Sequence, residues 1–263
     1  MKVLKPDFDL NSFWHQVKQA NQRILFFDYD GTLAPFRVQR DLAFPYDGIR
    51  EILSDMINAG HSRLVLVSGR GIGDLQQLLG LRQPIEIWGA HGLERLHVDG
   101  NYEVGKLDEA AASGLLQARQ HVENFAPASQ YESKPGSLAL HWRGLAQPKI
   151  KEIQGALAGH WIEIAQRANL ILTEFDGGME LRVSGVNKGS AVRTVLNEMK
   201  DDAAAAFLGD DVTDEDAFAA LSGKGAGILV REELRPTAAD LWLKPPEELM
   251  QFLENWHKIS GGV

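Results

Sequence analysis

The sequence of 263 residues contains no cysteine and no long apolar run. The lack of cysteine excludes disulfide bonds, zinc–thiolate sites and cysteine nucleophiles. No stretch approaches the roughly 18 apolar residues that a membrane-spanning helix needs. The N-terminal segment has early acidic residues and lacks the apolar stretch of a signal peptide. These absences predict a cytoplasmic protein that does not associate with membranes.

Basic residues are also comparatively few. There are 27 lysines and arginines against 36 aspartates and glutamates, which gives a formal net charge of −9. An acidic surface repels nucleic acids and anionic lipid headgroups, so neither is expected as a partner. A small anionic substrate is compatible with this charge, because a metal ion and a few basic side chains can reverse the local potential.

The apolar residues that are present follow the pattern of an α/β protein. Four short apolar runs are each closed by polar residues or glycine, at 24–28, 63–70, 86–92 and 205–211. Continuous runs of this kind are typical of parallel strands buried on both faces. Helical patterns lie between or after them, at 49–58, 74–79 and 189–199. The combination predicts a Rossmann-like, doubly wound parallel sheet.

The middle of the chain has a different pattern. In 137–143 apolar and polar side chains alternate, and 170–175 and 179–183 predict a β-hairpin around an Asp-Gly-Gly turn. One-sided alternation is typical of an antiparallel sheet that is covered on a single face. This segment therefore predicts a second sheet, separate from the parallel one.

Two helical patterns could cover that sheet, at 110–125 and 148–166. Together with the alternating strands they predict an inserted α/β cap domain, an antiparallel sheet plus helices, at residues 96–183. The predicted core is then discontinuous and comprises residues 1–95 and 184–263.

Two carboxylates follow the first apolar run. Asp28 and Asp30, in Asp-Tyr-Asp-Gly-Thr, stand at a predicted strand end and can point into one space. Bringing carboxylates together is unfavourable unless a cation is present, which indicates a metal site. One carboxylate can attack phosphorus, and the other can transfer protons to the leaving group and from water. The alternative is a solvent-exposed turn.

A candidate phosphate site follows the second run. Ser68, Gly69 and Arg70 place a hydroxyl and backbone N–H groups before a predicted helix, and glycine lets the backbone approach a ligand closely. The alternative is an ordinary helix N-cap. Lys188, just before another predicted helix, can neutralise a phosphoryl oxygen. A lone lysine is otherwise a solvated surface residue.

The last run leads into an acidic segment. Residues 210–216 contain four aspartates and one glutamate, and the candidate ligands are Asp210, Asp211 and Asp214. Carboxylate oxygens at a strand end suit Mg²⁺. The alternative is an acidic helix N-terminus. Because ligands bind where the carboxyl ends of parallel strands meet, the four motifs together favour a phosphate-transferring metal site.

These four motifs resemble those of the haloacid dehalogenase superfamily. The resemblance implies that Asp28 is the nucleophile, forming an aspartyl-phosphate, and that Asp30 is the general acid/base. It also implies that Ser68 and Lys188 bind the transferring phosphoryl group. An acid at position 30 favours a phosphatase over a dehalogenase, because an alkoxide leaving group needs a proton.

The same resemblance implies a cofactor. Asp28, the main-chain carbonyl of Asp30 and the side chain of Asp210 would hold Mg²⁺. The residues placed near the phosphate or just outside the metal ligands are Gly69, Arg70, Asp211 and Asp214.

A closer resemblance covers about residues 24–245, including the insertion. The patterns G-x-H-G-x-E, K-x-x-S-x-x-x-H-(aromatic)-R, E-x-(K/R) and G-D-D-x-T-D-E are similar to those of the trehalose-6-phosphate phosphatases. This implies hydrolysis of trehalose 6-phosphate to trehalose and phosphate in trehalose biosynthesis, with functional coupling to a trehalose-phosphate synthase. The implied sugar-binding residues are His91, Lys134, Ser137, His141, Glu180 and Arg182.

Several alternatives stay open at this point. The polar strand faces of the insertion, one with residues 132–137, His141 and Arg143 and another with Glu180 and Arg182, could be solvated surfaces with cross-strand ion pairs. The substrate could be another sugar phosphate, such as sucrose phosphate or a mannosylglycerate phosphate. In a different functional class, the chain could be a catalytically idle sugar-phosphate sensor.

Overall fold

Strands and helices alternate along most of the chain in a computed structural model that describes residues 1–37, 39–142, 144–175, 177–199 and 202–261. The chain forms two units. The core unit comprises Met1–Glu103 and Asn187–Val263, and the inserted unit comprises Val104–Val186.

The described strands are β1 (Lys2–Val3), β2 (Gln22–Phe27), β3 (Arg63–Val67), β4 (Glu86–Gly89), β5 (Glu94–Leu96), β6 (Tyr102–Val104), β7 (Tyr131–Lys134), β8 (Ser137–His141), β9 (Leu170–Phe175), β10 (Gly178–Val183), β11 (Ala203–Gly209), β12 (Ala226–Val230) and β13 (Leu241–Leu243). The described helices are α1 (Leu10–Gln19), α2 (Ile49–Ala59), α3 (Ile72–Leu79), α4 (Glu109–Val122), α5 (Gln147–Arg167), α6 (Lys188–Asn197), α7 (Glu215–Leu221) and α8 (Glu247–Ile259). None of these helices has the length and apolar character needed to cross a membrane.

The core sheet has nine strands in the order β1-β13-β12-β11-β2-β3-β4-β5-β6. The six strands from β13 to β4 are parallel, and antiparallel strands flank them at β1 and β5. The predicted runs correspond to four adjacent strands, β11, β2, β3 and β4. The predicted α/β fold class is therefore confirmed. Strands are added on one side of β2 up to β4 and β5, and later on the other side from β11 to β13, so the topological switch point lies between β2 and β11.

The central strands are continuously apolar because helices cover both faces of the sheet. Along β2, Leu25 and Phe27 pack with α1, α2, α3 and α8, whereas Ile24 and Phe26 pack with α6 and α7. All four side chains are fully buried. Burying each side chain stabilises the fold by roughly 1.5–3 kcal/mol relative to an exposed position. An alternation of apolar and polar residues would therefore be unfavourable in β2.

One predicted run is longer than its strand. The run 86–92 forms a strand only as far as Gly89, since Ala90 and His91 have positive φ values of 47° and 58°. A residue in the left-handed region cannot continue an extended strand. The chain therefore turns at His91, directly beside the neighbouring strand end.

The inserted unit contains the second sheet, with the antiparallel order β7-β8-β10-β9. The predicted hairpin is formed by β9 and β10, although Asp176 in its turn lies outside the described residues. Apolar side chains such as Leu140 and Leu181 are buried, and α4 and α5 pack against the strands. The predicted helices 110–125 and 148–166 match α4 and α5 within three residues at each end.

Candidate active site

The parallel strands bring the sequence-predicted residues of the core to one edge of the sheet. Asp28 directly follows β2, Ser68 follows β3 and Asp210 follows β11. The backbone N–H of Asp28 donates to Leu208 O at 2.8 Å, which holds the ends of β2 and β11 together. Lys188 begins α6 after the Asn187 N-cap. Residues that are far apart in sequence thereby become neighbours.

Lys188 lies between two carboxylates. Its Nζ atom is 2.7 Å from Asp28 Oδ1 and 2.7 Å from Asp214 Oδ1, and its side chain is only 3% exposed. Burial alone would lower the pKa of Lys188, but Asp214 and Asp28 raise it above its ordinary value, so the ammonium form is favoured. The alternative of a solvated surface lysine is therefore wrong.

Asp28 is buried as well, at 4% exposure, which excludes the alternative of an exposed turn. Burial raises its pKa, the ammonium of Lys188 opposes this shift, and the charge of Asp214 adds to it, with a net upward shift. A carboxylate in this position is weakly solvated and has one oxygen against a cation. Such a group is a better nucleophile than a fully hydrated carboxylate.

Three carboxylates could hold a metal ion. Oxygen atoms of Asp28, Asp210 and Asp214 lie within 4.8 Å of one another, and all three residues are buried. Within the described part of the chain, neither carboxylate oxygen of Asp210 has a hydrogen-bond partner. Burial and the charges of Asp28 and Asp214 raise the pKa of Asp210. Hard oxygen ligands with unmet bonding capacity fit a divalent cation.

Asp214 differs from the other two carboxylates. Its Oδ2 accepts hydrogen bonds from the backbone N–H groups of Asp210 and Asp211, both at 2.9 Å, while its Oδ1 contacts Lys188. Asp211 is in turn the N-cap residue of the short helical turn Val212–Asp214, and its carbonyl oxygen accepts a hydrogen bond from the backbone N–H of Asp214 at 3.0 Å. These two residues hold the loop that carries Asp210, so the acidic segment also performs the capping that its composition suggested.

Asp30 forms a bidentate ion pair with Arg70. The Nε and Nη2 atoms of Arg70 are each 2.6 Å from an oxygen of Asp30. The backbone N–H of Arg70 also donates to Ser68 Oγ at 3.2 Å. Because α3 begins only at Ile72, with Gly71 as its N-cap, the alternative of Ser68 as a helix N-cap is wrong.

Gly69 and His91 are in close contact. A Cβ atom at Gly69 would lie 2.6 Å from Cε1 of the His91 ring, so only glycine leaves room for the imidazole. The backbone N–H of His91 donates to Ser68 O at 2.9 Å. The left-handed turn at Ala90 and His91 therefore places this imidazole beside the Ser68 motif.

The remaining sequence-predicted residues lie in the inserted unit and form a second group. Glu180 Oε1 accepts a hydrogen bond from Ser137 Oγ at 2.9 Å and lies 3.0 Å from Lys134 Nζ. Glu180 is 7% exposed, so it is not the solvated surface glutamate of the alternative. Arg182 donates to Val186 O at 2.7 Å.

The strand register changes one prediction about this group. Two separate polar faces were expected, but β8 pairs with both β7 and β10, so Glu132, Ala139 and Glu180 stand opposite one another. The two predicted faces are therefore one continuous face. His141 belongs to it, with Nε2 3.6 Å from Glu132 Oε2, whereas Arg143 lies outside the described residues.

Two arginines and one glycine at the site were missed. Arg235 donates to the main-chain carbonyls of Asp210 and Asp211, and Arg231 reaches Asp210 O at 3.4 Å. A Cβ atom at Gly31 would lie 2.2 Å from Asp210 Oδ2. The arginines gave no signal, because the atoms of the Asp210 loop that they contact are main-chain carbonyls distant in sequence. The glycine was visible in the Asp-Gly-Thr motif.

Comparison with known proteins matches residues 26–244 to a family described as Trehalose-phosphatase. A trehalose-phosphate phosphatase of Mycobacterium marinum is 32% identical over 241 residues, which are 87% of this chain and 60% of that protein. This chain thus spans about three fifths of the length of that relative.

Solved structures share the fold. The C-terminal domain of a Candida albicans trehalose-6-phosphate phosphatase superposes with a TM-score of 0.76 at 21% identity, covering 100% of both chains. The C-terminal domain of a Candida albicans trehalose synthase regulatory protein superposes with a TM-score of 0.71 at 14% identity, covering 97% of this chain and 99% of that one. At these identities the likeness establishes the fold alone.

Proposed function

Since the chain belongs to the trehalose-phosphatase family, we propose that it hydrolyses trehalose 6-phosphate to trehalose and inorganic phosphate. Membership implies a sugar-phosphate substrate and a divalent metal ion. The observation that carries the proposal is the buried group of Asp28, Lys188 and Asp210, in which a carboxylate oxygen is paired with an ammonium beside carboxylate oxygens that have no partner among the described residues.

The first half-reaction forms a bond between an Asp28 oxygen and phosphorus while the bond from phosphorus to the sugar 6-oxygen breaks. Asp30 donates a proton to that sugar oxygen, so trehalose leaves as an alcohol. Lys188 and the Ser68 hydroxyl hold the non-bridging phosphoryl oxygens, beside Gly69, which leaves room for the His91 imidazole. The product of this step is an aspartyl-phosphate.

The second half-reaction regenerates the carboxylate. Asp30 takes a proton from water, the water oxygen bonds to phosphorus, and the bond to Asp28 breaks to release phosphate. Arg70 orients Asp30 through its two-point contact, which a planar guanidinium makes better than an ammonium. Before the reaction Lys188 is held in its ammonium form, since Asp214 and Asp28 raise its pKa.

We assign Mg²⁺ as the metal, which Asp28, the Asp30 carbonyl and Asp210 would hold, with Asp211 and Asp214 supporting the loop. When bound, the ion neutralises charge on the phosphoryl oxygens. Mg²⁺ prefers few carboxylates together with water and substrate phosphate. The three carboxylates and the ammonium of Lys188 together have a net charge of −2, which suits a divalent ion.

The sugar portion is assigned to the polar face of the inserted unit and to His91. We propose that residues 96–183 act as a substrate-selecting cap, in which Lys134, Ser137, His141 and Glu180 contact sugar hydroxyls. Arg182 is assigned a supporting contact. Charged groups that are nearly dehydrated make strong hydrogen bonds to hydroxyl groups. Functional coupling to a trehalose-phosphate synthase, which would supply the substrate, is part of the same proposal.

A sugar-phosphate sensor is the second candidate function. One observation favours it, namely that the fold is shared with the C-terminal domain of a trehalose synthase regulatory protein. The residues that we propose as nucleophile, acid and metal ligands are nevertheless all in place, and a sensor has no need of Asp28 or Asp30. We therefore favour the enzyme.

Phosphate release from trehalose 6-phosphate separates these functions. We expect turnover with Mg²⁺, none with excess EDTA, and at least about tenfold lower kcat/KM for sucrose 6-phosphate and mannosylglycerate phosphate, equivalent to about 1.4 kcal/mol. Preference for another ester would reassign the substrate. Binding of trehalose 6-phosphate with no turnover of any ester would establish the sensor.

A further inference from the structure

The loop that follows β11 is held from two sides. On one side, the N–H groups of Asp210 and Asp211 donate to the carboxylate of Asp214, at 2.9 Å each. On the other side, the carbonyl oxygens of the same two residues accept hydrogen bonds from Arg235, from Nε at 3.2 Å and from Nη2 at 2.6 Å. The peptide group between Asp210 and Asp211 is therefore held at both its carbonyl and its N–H, and the peptide group on either side of it is held at one atom.

Arg235 is itself anchored. Its Nη1 donates to Glu215 Oε1 and, at 2.8 Å, to Pro236 O. The other oxygen of Glu215 accepts from the N–H of Ala238 at 2.7 Å. The Arg235 side chain is only 16% exposed. The guanidinium thus links the start of α7, the 235–238 segment and the Asp210–Asp211 loop in one hydrogen-bonded group.

The position of this loop determines where the Asp210 carboxylate lies. Both of its oxygens are buried and have no hydrogen-bond partner in the described residues, so no side chain described there fixes their orientation. A Cβ atom at Gly31 would lie 2.2 Å from Asp210 Oδ2, which shows how little space surrounds the carboxylate. A small shift of the backbone would therefore displace the proposed metal ligand directly.

We propose that Arg235 is a positioning residue that sets the divalent-cation affinity of the site by fixing the Asp210 main chain. The inference rests on the proposed function, because it assumes that Asp210 is a metal ligand. Groups that orient metal ligands typically contribute 10–100-fold in affinity. Arg231 touches the same carbonyl only at 3.4 Å and is a weaker contributor.

The positive charge of Arg235 and its hydrogen bonds to the loop should have opposite effects on cation affinity, which makes the proposal testable. A guanidinium close to a cation site repels the cation, so removing its charge should tighten binding if electrostatics alone mattered. Loss of the two carbonyl contacts should weaken binding if position matters. Arg235→Gln removes both the positive charge and the planar guanidinium that donates to two carbonyls at once. Arg235→Lys keeps the charge but replaces the five guanidinium donors with a single ammonium group.

The experiment is titration calorimetry of Mg²⁺, and electron paramagnetic resonance of Mn²⁺, with the whole chain free of metal and substrate. We expect both Arg235 variants to bind the cations about tenfold more weakly or worse, with kcat for trehalose 6-phosphate largely recovered at saturating Mg²⁺. Arg23 provides a matched control, because its Nε and Nη2 also donate to two consecutive carbonyls, Val17 O and Lys18 O, at the C-terminal end of α1. Arg23→Gln should leave the affinity unchanged.

Unchanged or tighter cation binding by Arg235→Gln would overturn the inference while leaving the proposed function in place. Failure of the unsubstituted protein to bind either cation would instead overturn the proposed function. If circular dichroism shows that Arg235→Gln is unfolded, Arg235→Lys decides, since it keeps the charge and most of the volume. A fall in kcat that saturating Mg²⁺ does not restore would assign Arg235 to general stability and reject the positioning role.

Discussion

Asp28, Asp210 and Asp214 share a small buried volume with the ammonium group of Lys188. Like charges at such distances are unfavourable in a weakly polar environment. The fold maintains them because the ends of β2 and β11 are hydrogen bonded to each other. This arrangement suits the divalent cation that we propose for the site.

Asp28→Asn should abolish turnover and leave the fold intact. The amide is nearly isosteric with the carboxylate, but it is a poor nucleophile and a weaker metal ligand. We expect less than about a hundredth of the unsubstituted rate of phosphate release, since even one acid–base group contributes roughly 10²–10⁴-fold. Circular dichroism would verify the fold, and a folded variant that retains more activity would contradict the covalent mechanism.

Glu180→Gln should reduce kcat/KM for trehalose 6-phosphate at least about tenfold and leave p-nitrophenyl phosphate almost unchanged. A charged hydrogen bond contributes about 1.5–3 kcal/mol, and the small ester has no hydroxyl groups to lose. Glutamine keeps the shape next to Lys134 and Ser137, so it disturbs packing less than alanine.

The matched control is Glu174→Gln, an exposed carboxylate of β9 that pairs in register with Met179 and so belongs to the opposite face of the same sheet. It should affect neither substrate. An equal fall for both esters in the Glu180 variant would point to a damaged fold and would remove the support for sugar recognition.

At the scale of elements, α6 and α7 pack closely beside the site. A Cβ atom at Gly189 would lie 2.3 Å from the carbonyl oxygen of Asp216. Gly189→Ala should therefore push α6, which begins with Lys188, away from α7. We expect a loss of about 1–3 kcal/mol in unfolding free energy and a lower kcat, measured by chemical denaturation and phosphate release.

Gly155→Ala is the control for that substitution. Gly155 lies within α5, and a Cβ atom at this position would have no described atom outside its own helix within 4 Å. Alanine should stabilise this helix by roughly 0.5–1 kcal/mol through its higher helix propensity. If Gly189→Ala were equally stabilising, the close packing of α6 and α7 would not be a constraint.

An ion-pair group connects the end of α6 to three strands. Glu198, which caps α6, contacts Arg95 of β5 and Arg63 of β3, and both arginines contact Glu86 of β4. Hydrogen bonding from Arg95, together with Arg63, lowers the pKa of Glu198 to about 2, against an ordinary 4.5. This contribution to stability is present above about pH 4.5 and is lost as the pH falls towards 2.

Thermal melts between pH 5 and pH 2.5 should show this dependence. We expect the Tm of Glu198→Gln to fall less steeply with decreasing pH than that of the unsubstituted protein. The difference should be modest, because the Glu198 side chain is 38% exposed and solvent screens such pairs. If the Tm of the two proteins fell equally with decreasing pH, Glu198 would not be the source of the pH dependence.

At the scale of the whole molecule, cation binding should stabilise the folded protein. A ligand at a hundred times its Kd adds about 2.7 kcal/mol by mass action, which corresponds to a rise of several degrees in Tm for a chain of this size. We expect Mg²⁺ to raise the Tm and EDTA to reverse the rise. Asp210→Asn should show no Mg²⁺-dependent shift, and a shift of normal size would place the ion elsewhere.

The architecture was largely predictable because it follows from burial. Continuous apolar runs indicated strands covered on both faces, and these runs became β2, β3, β4 and β11. The alternating segment 137–143 indicated a sheet covered on one face, which became β8. The predicted extent of β4 was too long, because the pattern of apolar residues does not reveal positive φ values at Ala90 and His91.

The grouping of the core-site residues was predictable for a different reason. Asp28, Ser68 and Asp210 each follow an apolar run directly, and parallel strands end at one edge, so sequence position implied proximity. The sequence could not predict that the two polar faces of the insertion form one face, since this depends on the strand register, which places Glu132 and Glu180 opposite Ala139.

The sequence alone therefore determined which residue types stand at the strand ends, and with them the class of reaction that we propose, because composition and period are local properties. Tertiary structure decided which of these residues touch. It paired Lys188 with Asp28 and Asp214, joined Asp30 to Arg70, and placed Arg235 on the carbonyls of the Asp210 loop. Such contacts depend on the packing of distant segments and on main-chain acceptors, and every residue has the same main-chain acceptor.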